Sequence, residues 1–329
     1  MTGHRNDDYD VVVIGGGAAG LNGALMLARM RRSVLVIDSG APRNAPAEGV
    51  HGLFARDGVP PGELLATGRA EVESYGGRVL DGEVVEIARG GTGFVVRLAD
   101  DRTVRARRLL VTTGLVDELP QIAGLRERWG RDVVHCPYCH GWEVRDRIIG
   151  VLGNGAMTVH VAQLFRQLST DIVYFPRTTP LTVEQAGQLA ARGIRVVEGE
   201  VESVVVSEDR LTGVRLTDGG VIAVEALAVP PRMTARAGFL VSLGLRPSEH
   251  PSGAGEFIAV GPTGRTEIPE VWAAGNVTDP SAQVGAAAAA GAFAGAQINA
   301  DLVAEEVRVA VEARDLEQFP VSAGPHSQR

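Results

Sequence analysis

Strand-like runs rich in Val, Ile and Leu, each bounded by Gly, Asp or Pro, recur along the chain and alternate with Ala/Leu-rich stretches of helical spacing. The clearest unit has Val11-Val12-Val13-Ile14 as strand, a glycine turn, Leu21 to Met30 as helix and Val34-Leu35-Val36-Ile37 as the next strand. A comparable unit begins at Ile148-Ile149-Gly150-Val151-Leu152, continues through Val159 to Leu168 and enters Ile172-Val173-Tyr174-Phe175. Two βαβ units predict an α/β protein with two nucleotide-binding, Rossmann-like domains of three layers each.

Between the units, Gly82 to Leu110 reads as several short strands and turns, the pattern of a small antiparallel sheet inserted in the first domain. The Pro120 to Gly124 stretch and the Pro230-Pro231 pair are the expected joints. From about Arg232 the chain carries one more strand, Val271-Trp272-Ala273-Ala274, and returns to complete the first domain. The Ala- and Gly-rich run from Val284 to Ala296 reads as a tightly packed helix, too short and too weakly apolar to span a bilayer.

A length of 329 residues is enough for about two domains with their own cores. The formal net charge of −8 argues against a nucleic-acid binder or a polybasic membrane-surface protein. No long apolar segment precedes a small-residue cleavage site near Met1, and a cytoplasmic location is expected.

Gly15-Gly16-Gly17-Ala18-Ala19-Gly20 is a G-x-G-x-x-G that follows a strand and opens a helix, and Asp38 ends the second strand. The glycines permit a tight turn and close approach of the backbone to a pyrophosphate. The helix N-terminus favours the anion, and the acid can accept from ribose hydroxyls. With strand, helix and acid all in place, dinucleotide binding is the reading, against that of an ordinary strand-to-helix junction.

The chain has two cysteines, both in His135-Cys136-Pro137-Tyr138-Cys139-His140. Zinc is one reading, since histidines flank the pair, but four nearly contiguous ligands rarely wrap one ion. Covalent haem is another, because Cys136 to His140 fits C-x-x-C-H, although attachment normally takes place outside the cytoplasm. Inert buried thiols are a third. The favoured reading is a redox dithiol, in which one thiolate attacks a disulfide and the other sulfur resolves it. Histidine ordinarily titrates near neutrality, so His140 is a candidate proton acceptor from a substrate thiol; a solvent-facing loop histidine is the alternative.

Over almost its whole length the chain resembles the low-molecular-weight thioredoxin reductase family of flavoproteins. The matching marks are Gly15 to Gly20 with Asp38, the Thr112-Thr113-Gly114 turn followed by Leu119-Pro120, the Cys136/Cys139 pair just ahead of a second glycine motif, and Ala273-Ala274-Gly275-Asn276. The resemblance implies a discontinuous FAD domain, residues 1–119 and 232–329, and a central NAD(P)H-binding-like domain, residues 120–231, that carries the dithiol. It also implies a homodimer, with Cys139 nearer the flavin and Cys136 meeting the substrate. The FAD-contacting residues it implies are Gly15, Gly17, Ala18, Ala19, Gly20, Asp38, Ser39, Asn44, Thr113, Gly114, Gly275, Asn276, Gln283 and Val284.

Three departures set the branch. Where classical thioredoxin reductases carry Cys-Ala-Thr-Cys-Asp, this chain has Cys-Pro-Tyr-Cys-His, so the acid/base after the second cysteine is an imidazole. The family's late Gly-Asp is here Gly275-Asn276, and asparagine can still bond a ribityl hydroxyl without the charge. The second glycine motif keeps Gly153 and Gly155, but the family's His-Arg-Arg clamp for the 2′-phosphate of NADPH is replaced by Phe175-Pro176-Arg177-Thr178. One arginine is left in that window, so tight use of NADPH is not expected unless Arg177 and backbone amides suffice. These departures are similar to the branch that oxidises dithiols of small natural products such as holomycin, gliotoxin and romidepsin, passing electrons through the C-x-x-C and FAD to O2. The expected activity is therefore oxidation of a small-molecule dithiol. The rivals are an NADPH-dependent reductase of thioredoxin or another disulfide, and a non-catalytic redox or flavin sensor. Leu53, Phe54, Tyr138 and Trp142 are candidate walls for a compact dithiol, or else core or dimer packing.

Overall fold

The structure is a computed structural model and describes residues 8–153, 157–177 and 180–318. The first sheet is built from β1 (Asp8–Ile14), β2 (Val34–Asp38), β3 (Arg78–Asp81), β4 (Val84–Gly90), β5 (Gly93–Leu98) and β6 (Thr103–Val111), with α1 (Ala18–Arg29) and α2 (Pro61–Ser74) between them. Its strand order is β3-β2-β1-β6-β5-β4. The antiparallel strands expected after Gly82 are present, and they continue the main sheet: β6 pairs in parallel with β1 along one edge, while along the other it takes β5 antiparallel over its first half. A late strand, Val271–Ala273, takes the second half of that edge in parallel. The nine residues of β6 are long enough to serve both partners.

Period-2 alternation sends Val11 and Val13 to one face of the sheet and Val12 and Ile14 to the other, and all four are buried. A strand covered on both faces has no polar positions to spend, which is why the run is continuous.

Beyond β6 come β7 (Leu115–Glu118), β8 (Val133–Val134), α3 (Pro137–His140), β9 (Ile149–Leu152), α4 (Thr158–Phe165), β10 (Ile172–Phe175), α5 (Val183–Ala191) and β11 (Arg195–Val196). A meander of β12 (Val201–Ser207), β13 (Arg210–Leu216) and β14 (Val221–Ala223) precedes β15 (Ala226–Ala228) and β16 (Arg232–Ala235). The second sheet is parallel, in the order β11-β10-β9-β15-β8. The chain leaves the first sheet and returns to it through one antiparallel ribbon, in which β7 and β16 place Glu118 opposite Arg232. Both proline-marked joints stand just beyond the ends of this ribbon. After a short hairpin of β17 (Ser248–Glu249) and β18 (Glu256–Phe257), β19 (Val271–Ala273) re-enters the first sheet and leads to α6 (Val284–Gln318).

The last helix runs far beyond the Ala-rich stretch that announces it. Ion pairs hold its later turns to β6 and to the loop after α1: the buried Arg108 guanidinium meets Asp301 at 2.7 Å and Glu305 at 2.5 Å, and Arg32 meets Glu306 at 2.5 Å. Among the described residues no helix is long and apolar enough to cross a membrane.

α1 and α6 cross backbone to backbone. A Cβ on Gly291 would overlap the Ala19 carbonyl oxygen, and one on Gly295 would lie 2.6 Å from the Gly23 carbonyl oxygen. Gly285 near the start of the same helix has room, its nearest neighbour being Leu53 Cδ1 at 3.6 Å. In urea titration, Gly291→Ala is expected to lose at least about 2 kcal/mol through overpacking, while Gly285→Ala stays neutral or gains slightly from helix propensity.

Candidate active site

The glycine loop joins β1 to α1 and lines a cavity of about 780 Å3. Gly15 has φ +103, and a Cβ there would sit 2.5 Å from the Thr112 carbonyl oxygen, so only glycine fits. Gly17 is the N-cap of α1; no side chain caps it, and a Cβ built on it meets nothing within 4 Å. Open space beside an uncapped helix N-terminus has the room and the polarity to accommodate an anion.

Of the residues expected to hold FAD, Gly15, Gly17, Ala18, Ala19, Asp38, Ser39, Asn44, Thr113, Gly114, Asn276, Gln283 and Val284 line this one cavity. Gly20 and Gly275 stand behind its wall. A Cβ on Gly20 would strike the carbonyl oxygen of Gly15 and lie 2.6 Å from Thr112 Oγ1. Gly275, at φ +81, would press a Cβ to 2.8 Å from Ala19 Cβ. Their part is to let the wall close up.

Asp38 receives the Gly16 amide at 3.1 Å and is also ion-paired with Arg69 of α2, a partner the sequence pattern did not reveal. The Asn276 side-chain amide donates to the carbonyl oxygens of Asp279, at 3.1 Å, and Ala282, at 2.8 Å. Spending both donors on its own loop leaves Oδ1 as the free acceptor, so this asparagine presents to the cavity what a carboxylate would, without the charge.

The cysteines reach the same cavity from the second sheet. β8 ends at Val134, and Cys136 turns the chain into α3 as its N-cap. Its Sγ accepts the Cys139 N–H at 3.2 Å, and Pro137 at the first helical position lacks the donor that would go unpaired there. Cys136 and Cys139 are joined as a disulfide with Cα atoms 5.2 Å apart. Cys136, Cys139, His135 and His140 all line the cavity.

His135 Nδ1 and His140 Nε2 are buried without a hydrogen-bond partner among the described residues. Burial holds His135 down to about 4, with the Arg43 cation pushing the same way against Asp117. Burial also lowers His140, opposed by the nearby Glu143 carboxylate. Both rings are neutral at pH 7 and keep a lone pair free. Arg43 and Asp117, in a two-point ion pair of 2.8 and 2.6 Å, are site residues that sequence reasoning missed, since no local spacing links positions so far apart. His51, Trp129 and Gly130 of the wall were missed for the same reason.

The second glycine motif is only partly described. Gly153 is buried at the end of β9, its N–H bonded to the Phe175 carbonyl oxygen at 2.7 Å, and a Cβ on it would lie 2.9 Å from that oxygen. Arg177 is exposed beyond β10. Gly155 and Thr178 lie outside the described residues.

Residues 9–296 match the pyridine nucleotide-disulphide oxidoreductase family. The chain belongs to that family. It is 30% identical to thioredoxin reductase tcpT of Claviceps purpurea over 90% of this chain and 95% of that one. Thioredoxin reductase sirT of Leptosphaeria maculans is 29% identical over 88% and 93%. Among solved structures, HlmI superposes with a TM-score of 0.89 at 46% identity, covering 96% of this chain and 99% of its own. The protein is therefore a thioredoxin reductase-like disulfide oxidoreductase, and its family implies a flavin. The cavity fits one: it has an open glycine loop at an uncapped helix end, an acid at the second strand, a free acceptor at Asn276 and a disulfide in its wall.

The histidine environments make a direct prediction. Burial that lowers a base keeps it deprotonated as pH falls to 6.5, so NMR titration of the ring protons should give midpoints below 6.5 for His140 and near 4 for His135. A midpoint above 6.5 for His140 would contradict the buried, neutral base.

Proposed function

We propose that the protein is an FAD-dependent oxidase of small-molecule dithiols, converting each to its intramolecular disulfide through Cys136 and Cys139 with O2 as final acceptor. The observation that carries this reading is the sharing of one cavity by the dinucleotide loop, the disulfide and a buried, unpartnered imidazole nitrogen. In this reading residues 1–119 and 232–329 form the FAD domain, residues 120–231 the domain carrying the dithiol, and the protein works as a homodimer. The amides of Gly17 and Ala18 hold the pyrophosphate, Asp38 a ribose, and Asn276 Oδ1 a ribityl hydroxyl.

His140 Nε2 takes the proton from one substrate thiol, and the thiolate attacks Cys136 Sγ. The disulfide breaks and Cys139 leaves with the electron pair. The second substrate thiol then attacks the substrate sulfur bound to Cys136, closing the product disulfide and expelling Cys136. The Cys139 N–H that bonds Cys136 Sγ stabilises this departing thiolate. Two electrons now rest on the cysteine pair; one substrate proton is on His140, and the other is shared with the reduced cysteines. FAD, when bound, supplies the two-electron acceptor that returns the pair to the disulfide.

The reverse reading, NADPH-driven reduction of thioredoxin or another disulfide, draws on the names of the relatives and on Gly153. It asks the exposed Arg177 to bind a 2′-phosphate without a second arginine in its window. Anaerobic mixing separates the two. A dithiol such as dithiothreitol is expected to bleach the flavin spectrum in the wild type and to leave it oxidised in Cys139→Ser, while NADPH at the same concentration leaves the wild type oxidised. Rapid bleaching by NADPH would favour the reductase.

A further inference from the structure

The disulfide turn has an outer face as well as one toward the flavin cavity. Gly141 keeps the helical backbone, φ −70 and ψ −33, so α3 runs on into the turn Trp142–Val144. Tyr138 and Trp142, four residues apart, therefore share one face. A Cβ on Gly141 would lie 2.2 Å from the Pro137 carbonyl oxygen, so the close turn there leaves no room for a side chain. Both rings are exposed, by 66% and 65%, although Tyr138 stands between the two cysteines and Trp142 follows them within one turn. One face of the Trp142 ring carries the Arg145 guanidinium at 4.1 Å.

Opposite these rings stands the loop from Val50 to Val59, closed at its base by the Val50 N–H to the Val59 carbonyl oxygen at 2.8 Å. Asp57 accepts the Gly52 N–H at 2.9 Å within it, and Phe54 at its tip is 95% exposed. His51 ties loop to turn: its Nδ1 lies 3.5 Å from Asp57 and its Nε2 3.4 Å from Glu143. The result is an open depression of about 540 Å3 walled by His51, Asp57, Tyr138, Trp142 and Glu143. His51 also lines the flavin cavity, so the depression and the cavity that holds the disulfide share a wall.

Exposed aromatic rings of this size are normally covered or used. Three of the five exposed aromatic side chains among the described residues, Phe54, Tyr138 and Trp142, belong to this loop and turn. We propose that this depression is where the substrate dithiol docks, and that it selects a flat, conjugated dithiol by stacking on Tyr138 and Trp142 with the two sulfurs directed at Cys136. The volume suits a compact molecule rather than a protein surface. The proposal rests on the dithiol-oxidase reading and adds to it the shape of the substrate.

Two probes isolate the ring contribution. 1,2-Benzenedimethanethiol and dithiothreitol both close six-membered cyclic disulfides, and only the first carries an aromatic ring. The quantity to measure in the FAD-loaded enzyme is the ratio of their KM values. Trp142→Leu and Tyr138→Leu are each expected to raise the ratio, aromatic over aliphatic, by about tenfold, the scale of a well-placed stacking contact. Trp142→Phe should restore most of the loss. A ratio within about twofold of wild type in both leucine variants, or an equal rise in both KM values, overturns the docking proposal while leaving dithiol oxidation standing. If neither dithiol reduces the flavin of the wild type, dithiol oxidation itself falls, and the docking site falls with it.

Discussion

The site depends on how closely α1 and α6 cross at Ala19. Three glycines converge on or beside that residue: Gly291 lies against its carbonyl, Gly275 against its Cβ, and Gly20 against the turn that precedes it. Van der Waals contact between backbones is unavailable to any other residue type, and side chains here would hold the helices apart. The crossing sets α1's uncapped end, the Asn276 loop and the start of α6 around one cavity. Cofactor binding and core packing are therefore one constraint, and a loss of packing at Gly291 reaches the amides at Gly17.

The chemistry arrives by a different route. The chain leaves the first sheet through the β7/β16 ribbon, builds a second parallel sheet, and brings the end of β8 back against the first. There Gly130, at φ +82, lies so close to Pro46 that a Cβ would be 2.5 Å from the proline's own. The cysteine turn rests in the cavity beside two neutral imidazoles, with Arg43 and Asp117 paired next to His135. Burial leaves both rings unprotonated near neutral pH, so each can accept a proton there. A carboxylate in the place of His140 would meet the same desolvation with a charge, so the histidine changes the proton chemistry of the fold.

Local patterns announced the parts of this site that are made locally. The strand, glycine loop, helix and terminal acid of the first βαβ unit each leave a mark within a few residues, and so does C-x-x-C. The strand Ile172–Phe175 falls where its apolar run places it. Contacts between distant segments leave no such mark. The pairings of Asp38 with Arg69, Arg43 with Asp117 and His51 with Glu143 join positions that no local spacing connects. The motif also could not separate glycines that face the cavity from those that pack behind it: Gly17 and Gly20 look alike in sequence, yet one fronts open space and the other is pressed against Gly15. The far half of α6 was silent for a related reason, since its later turns are held by arginines from β6 and the loop after α1.

The central claim is one of direction: electrons enter at Cys136 from a small dithiol and leave to oxygen without nicotinamide. Oxygen uptake by the FAD-loaded protein, with 1,2-benzenedimethanethiol as sole donor, tests it most directly. The account predicts steady turnover consuming one O2 for each cyclic disulfide formed, unaffected by added NADPH. Absence of uptake with the dithiol, together with rapid NADPH consumption when a disulfide is supplied, would contradict it.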